Sequence, residues 1–107
     1  MARKAHSVGI VRVLVLGELA KGENYGYGLA EGFKEHSQGA LTIRAEALYP
    51  ILHQMEEDDQ VKSRWVEAEN GRPRKVFALT ASGRKAWEKT REDFIRQTRA
   101  ALKALGA

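Results

Sequence analysis

The clearest periodicity in the chain lies between Ala45 and Asp58, where Leu48, Ile51, Leu52 and Met55 recur at i, i+3, i+4 and i+7. That spacing lines one face of an α-helix. Pro50 lies near its start, where a missing N–H is cheap in the first turn and implies a local kink slightly later. Arg44 is a poor N-cap, although Thr42 is close. Ahead of this helix, Val8–Ala20 is rich in β-branched residues but too long for a typical strand, so it reads as a helix buried on two sides. Lys21-Gly22 ends it. A second helical segment opens at Tyr25-Gly-Tyr-Gly and runs to about His36, with Leu29 and Phe33 four apart on one side. Gly39 supplies the stop.

Two β-type runs follow, Val61–Glu67 and Arg74–Leu79, around Glu69-Asn70-Gly71-Arg72-Pro73. Asn-Gly is a strong hairpin signal, because a type I′ turn needs φ > 0 at both central positions. Thr80 is placed to cap a final helix from Ala81 to about Leu105, nearly 40 Å long at about 1.5 Å per residue. Trp87, Phe94, Ala101 and Leu105 fall near one stripe of it, with Leu102 beside them. So small a domain cannot cover that stripe, which reads as a seam for a partner helix. The terminal Met1–Ser7 and Gly106–Ala107 are expected to fray.

Composition narrows the field. The 107 residues are 43% hydrophobic and 30% charged, enough for one globular core. With no cysteine there is no disulfide framework and no thiolate metal site, which fits a cytoplasmic protein. No apolar run reaches the roughly 20 residues of a membrane span. The basic Met1-Ala-Arg-Lys start and the apolar run after it mimic a secretory leader, but Arg12 and Glu18 interrupt the run and no cleavage site follows. His6, His36 and His53 are scattered without metal-ligand spacing. The acidic Glu56-Glu57-Asp58-Asp59 lacks the alternation of a calcium loop and reads as a solvated helix end. No nucleophile motif or phosphate-cradling glycine loop is present, so neither an enzyme nor a cofactor is expected. The net charge of +4 attracts polyanions.

Three helices, a hairpin and a long helix, in that order, make a mostly α fold with a small β-hairpin (α+β). The arrangement is a winged helix-turn-helix over residues 8–80 plus a C-terminal dimerisation helix over 81–105. The third helix of such a fold enters a major groove and the hairpin wing reaches backbone or minor groove. Arg44, Tyr49, His53 and Gln54 lie on the third helix away from Leu48 and Leu52, and are candidate DNA contacts or else a solvated face. Lys62, Arg64, Arg72, Arg74 and Lys75 make the hairpin basic, suited to phosphate or simply solubilising. Tyr25 and Tyr27 serve phosphate contact or core packing equally well. Trp87 and Phe94 are ligand platforms or plain dimer packing.

Four motifs then occur in order: Tyr25-Gly26-Tyr27, Leu48-Tyr49-Pro50, Gly71-Arg72-Pro73-Arg74-Lys75 and Leu79-Thr80-Ala81-Ser82-Gly83. Over roughly Val8–Thr90 the chain resembles the PadR-type regulators, in the short form with a single C-terminal helix. The resemblance implies a homodimeric transcriptional repressor on a palindromic double-stranded DNA operator, released by a small aromatic ligand. It also implies that Phe94 stands where a multidrug-binding member carries a ligand-stacking tryptophan. The chain departs from the pattern at Arg44, Glu46, Ala47, Asp59 (usually glycine) and Gln60 (usually apolar). The alternative is a winged-helix protein-interaction module that does not bind DNA.

Overall fold

The computed structural model describes residues 2–107, with side chains from residue 9 onward; His6 therefore lies outside the described side chains. Helix α1 (Ala2–Lys21) begins ahead of Val8, so residues expected to fray continue the helix. Strand β1 (Asn24–Tyr25) leads into α2 (Gly26–His36), followed by α3 (Ala45–Glu57), β2 (Val61–Glu67), β3 (Pro73–Leu79) and α4 (Ala81–Ala104). The three strands form an antiparallel sheet in the order β1-β3-β2. β1 escapes periodicity because it has two residues; only its pairing with Val76 and Phe77 makes it a strand. Tyr25, read from sequence as the first turn of α2, instead belongs to β1 and stands at the N-cap position.

The core collects Leu19 from α1, Leu29 and Phe33 from α2, Leu48, Leu52 and Met55 from α3, and Val61 and Phe77 from the sheet. Burying each such side chain is worth about 1.5–3 kcal/mol. Ile51 only borders this core. α1 is covered on two sides, as its broad apolar surface requires: Val15, Leu16 and Leu19 face the core, and Gly17 meets the Trp87 ring of α4.

Left-handed residues close α2, α3 and α4. α2 closes with Gln38 in the left-handed region (φ 54°) ahead of Gly39, the Gly39 amide donating to the Lys34 carbonyl at 2.7 Å. α3 closes the same way: Asp59 has φ 61°, the Gln60 amide donates to the Met55 carbonyl at 2.8 Å and the Asp59 amide to Glu56 at 3.0 Å. This is a complete Schellman closure with aspartate in the glycine position. Ala107 and Gly106 cap α4 similarly, onto Leu102 and Lys103, instead of fraying.

The hairpin is not a two-residue type I′ turn. Glu67 pairs with Pro73, the Gly71 amide donates to the Ala68 carbonyl at 2.9 Å, and the Ala68 amide to Arg72 at 2.8 Å. Gly71 is left-handed (φ 81°) but Asn70 is not. Asn70 acts through its side chain, whose Oδ1 accepts from the Arg72 amide at 3.0 Å. Pro73 is tolerated as the first residue of β3.

Candidate nucleic-acid interface

Strand alternation divides the wing into two faces. Register places Val61, Ser63, Trp65 and Glu67 with Leu79, Phe77, Lys75 and Pro73 on the face that continues from the core. Lys62, Arg64, Arg74 and Val76 occupy the other. The five wing cations are therefore not equivalent. Arg64 is bound at 2.5 Å to Glu23. The Lys75 ammonium lies 3.9 Å from Glu56 and is half-buried over the Phe77 and Trp65 rings. Arg74 stacks its guanidinium 3.8 Å above the Tyr25 ring. Lys62 and Arg72 are exposed and have no carboxylate partner among the described residues.

Helix α3 presents Arg44, Tyr49, His53 and Gln54 on its exposed side, opposite the buried Leu48, Leu52 and Met55. Arg44 stands at the N-cap position without a side-chain cap, so the first amides of α3 remain available to an anion. Tyr25 leaves α2 likewise uncapped. Pro50 is the sixth helical residue and exposed, so the Glu46 carbonyl loses its helical donor on the outer side, where solvent can replace it. Gln54 makes one long contact, Nε2 to Asp58 at 3.4 Å.

Tyr49 is 43% exposed, yet its ring rests on the first turn of α2. A Cβ on Gly26 would lie 2.9 Å from both its Cζ and its hydroxyl. The glycine of Tyr25-Gly26-Tyr27 and the tyrosine of Leu48-Tyr49-Pro50 are thus two halves of one contact. It delivers a phenolic hydroxyl to the uncapped start of α2. Tyr27, which the sequence left undecided, is 63% exposed, whereas Tyr25 is covered by Arg74.

Arg12 carried no assigned role in the sequence and proves central to the far end of α3. Its guanidinium donates to Asp58 at 2.6 Å and to the Gln60 amide oxygen at 2.8 and 3.1 Å. The part-buried Gln60 amide oxygen is satisfied by this partner. The Arg12 hydrogen bond holds the Asp58 carboxyl below its ordinary pKa of 3.8. A depressed carboxylate contributes stability above its unfolded pKa and loses it as pH falls through the folded value. Arg12→Ala is expected to return Asp58 to the usual range in an NMR titration; an unchanged titration would mean that the pair is not formed.

On the opposite side, α1 and α4 border a cleft of about 460 Å³ lined by Ile10, Val13, Thr90, Asp93, Phe94 and Gln97. Phe94 lines it at 37% exposure. Trp87 does not; its ring is packed on Gly17 within the α1–α4 contact. Beyond Ile95 every residue of α4 is exposed, including Leu102 at 48% and the cap residue Leu105 at 81%. No cluster of His, Asp or Glu fit to hold a metal occurs among the described residues, and none of the described helices is long and apolar enough to cross a membrane.

The same architecture is known from solved proteins. A PadR-like transcription factor from Bacteroides fragilis superposes with a TM-score of 0.80 at 22% identity, covering 96% of this chain and 97% of its own. A PadR-family regulator from Eggerthella lenta gives 0.75 at 26% identity, covering 91% and 82%. Bacillus subtilis PadR, solved in complex with operator DNA, gives 0.68 at 25% identity over 75% of this chain and 45% of that longer one. No curated protein sequence matches. The model of the transcriptional regulator PadR-like family matches residues 15–89, from the core of α1 through α3 and the wing to the first turns of α4. That span takes in both halves of the Tyr49–Gly26 contact and the wing, and the chain belongs to the PadR-like family of transcriptional regulators.

Proposed function

We propose that the chain is a dimeric repressor that reads a palindromic operator, with residues 8–80 as the DNA-binding unit and 81–105 as the dimerisation helix. The observation that carries this reading is the polar outer face of α3, with Arg44, Tyr49, His53 and Gln54 all exposed, beside a wing whose exposed Lys62 and Arg72 have no carboxylate partner among the described residues. The operator complex of the Bacillus subtilis relative supports it. Two copies would set their α3 helices into successive major grooves about 34 Å apart. The exposed Leu102 and Leu105 provide the unpaired end of the dimer seam.

A small aromatic effector fits the cleft beside Phe94, whose volume lies within the roughly 300–1,000 Å³ of ligand pockets. It would act only through unequal affinity for the DNA-competent and incompetent spacings of the two α3 helices. Sedimentation of the protein alone and with duplex DNA tests the main reading. A dimer that moves onto DNA, with affinity falling by about one power of salt concentration per phosphate contact, is the expected outcome. A dimer indifferent to DNA would favour a protein-interaction module instead. Flat aromatics titrated against the protein are expected to shift the resonances of Phe94 and Ile10; if none does, the effector is ruled out.

A further inference from the structure

Among the described residues, two sets of polar side-chain contacts tie α1 to other elements. Glu18 and Lys21 meet His36 at the end of α2, and Arg12 reaches the end of α3. The remaining core contact of α1 is apolar, through Val15, Leu16 and Leu19, and such burial is non-directional. The Arg12 side chain is 24% exposed and spans two acceptors, the Asp58 carboxylate at 2.6 Å and the Gln60 amide oxygen at 2.8 and 3.1 Å. Asp58 is the C-cap of α3, and Gln60 immediately precedes β2. Between them stands Asp59 with φ 61°, a conformation that a non-glycine residue keeps only when its surroundings hold it. The guanidinium therefore bridges the turn at which α3 gives way to the wing. Thr80 holds the backbone of that turn from the exit of the wing, its amide on the Gln60 carbonyl and its hydroxyl on the Asp59 carbonyl. Arg12 holds its side chains from α1.

On the reading of the chain as a sequence-specific DNA-binding protein, we propose that Arg12 is a positioning residue for discrimination between sequences. It touches no DNA. By holding Asp58 and Gln60 together against α1, it fixes the angle between α3 and the wing at which α3 meets base edges while the wing is seated on phosphate. Arginine suits the span, because its planar fork presents donors to two acceptors at once. Phosphate contacts tolerate small misplacement, since the same charge repeats along the backbone; hydrogen bonds to base edges do not. Loss of the bridge then removes the advantage of a preferred sequence and leaves mixed-sequence binding in place.

The parent protein is first used to select duplexes from a randomised pool, and affinities for a selected and a mixed-sequence duplex are read by anisotropy of labelled DNA. Arg12→Met, which keeps an unbranched stem without the guanidinium, is expected to lower the ratio of the two affinities by about tenfold, the size of one well-made base contact. Mixed-sequence affinity and its salt slope are expected to match the parent. A merely structural role would reduce the folded fraction, which weakens both affinities alike and leaves their ratio unmoved. Asp58→Ala, at an exposed position, removes one end of the bridge without threatening the fold, and is expected to lower the ratio in the same direction. A ratio that Asp58→Ala leaves unchanged overturns the proposal even where Arg12→Met does not fold. A salt slope lowered by about 0.9 in Arg12→Met makes Arg12 a phosphate contact and overturns it too. If the parent selects no sequence over mixed duplex, the reading of the chain as sequence-specific falls, and this inference with it.

Discussion

Replacing Gly83 with alanine is expected to lower the melting temperature by about 10 °C. Gly83 is the buried residue of α4, and a Cβ there would lie 1.9 Å from the Gln60 carbonyl oxygen. The obstacle is backbone, so no side chain can swing away. Nor is that carbonyl free to retreat: it accepts the Thr80 amide at 3.1 Å, and the Thr80 hydroxyl, which caps α4 by accepting the Gly83 amide at 2.9 Å, itself donates to the Asp59 carbonyl at 2.5 Å. One knot joins the end of α3, the exit of the wing and the start of α4. Alanine gains about 0.5–1 kcal/mol of helix propensity over glycine. Overpacking costs about 1–3 kcal/mol, more where backbone must move. The net loss of about 2 kcal/mol corresponds to roughly 10 °C for a domain of this size. Ser82→Ala, one residue away and exposed, is expected to stay within about 0.5 kcal/mol. A Gly83→Ala protein that melts where the parent does would mean that α4 leaves the wing by another path.

The elements that write themselves into the sequence are those whose burial repeats with their own period. α3 is legible because Leu48, Leu52 and Met55 are all fully buried on one face, and Thr80 because a cap acts within its own turn. What stays hidden depends on partners far along the chain. Arg12 looks like an interruption in an apolar run until it meets Asp58 and Gln60, 46 and 48 residues on. Tyr49 reads as an outward-facing residue, and it is one, but its ring also covers Gly26. The five wing cations have the same formal charge in sequence; Glu23, Glu56 and the Tyr25 ring distinguish them only once the sheet is formed. Turn type is similarly ambiguous, since Asn-Gly serves both a type I′ turn and the longer loop adopted here.

That sorting of cations decides how the DNA-binding reading should be challenged. The double substitution Lys62→Glu/Arg72→Glu is expected to weaken duplex binding by on the order of 100-fold or more while leaving the melting temperature unchanged. Both side chains are exposed and make no hydrogen bond or ion pair among the described residues, so their loss is expected to remove no folding contact. Each lost charged hydrogen bond to phosphate is worth about 1.5 kcal/mol or more, roughly tenfold apiece, and the new carboxylates add repulsion. The slope of affinity against salt should fall by about 2, since each phosphate contact releases about 0.9 of a counterion. Arg74→Glu is a poorer probe, because it also strips the guanidinium from Tyr25 and disturbs the β1–β3 join; a loss of binding there would mix folding with recognition. If the double variant binds duplex as the parent does, with the same salt slope, the wing does not touch phosphate. The outer face of α3 would then have to supply the affinity through Arg44, its uncapped amides and Tyr49, a much smaller charge. If the slope falls while α3 variants such as Gln54→Ala change only which sequences are preferred, positioning belongs to the wing and discrimination to the helix.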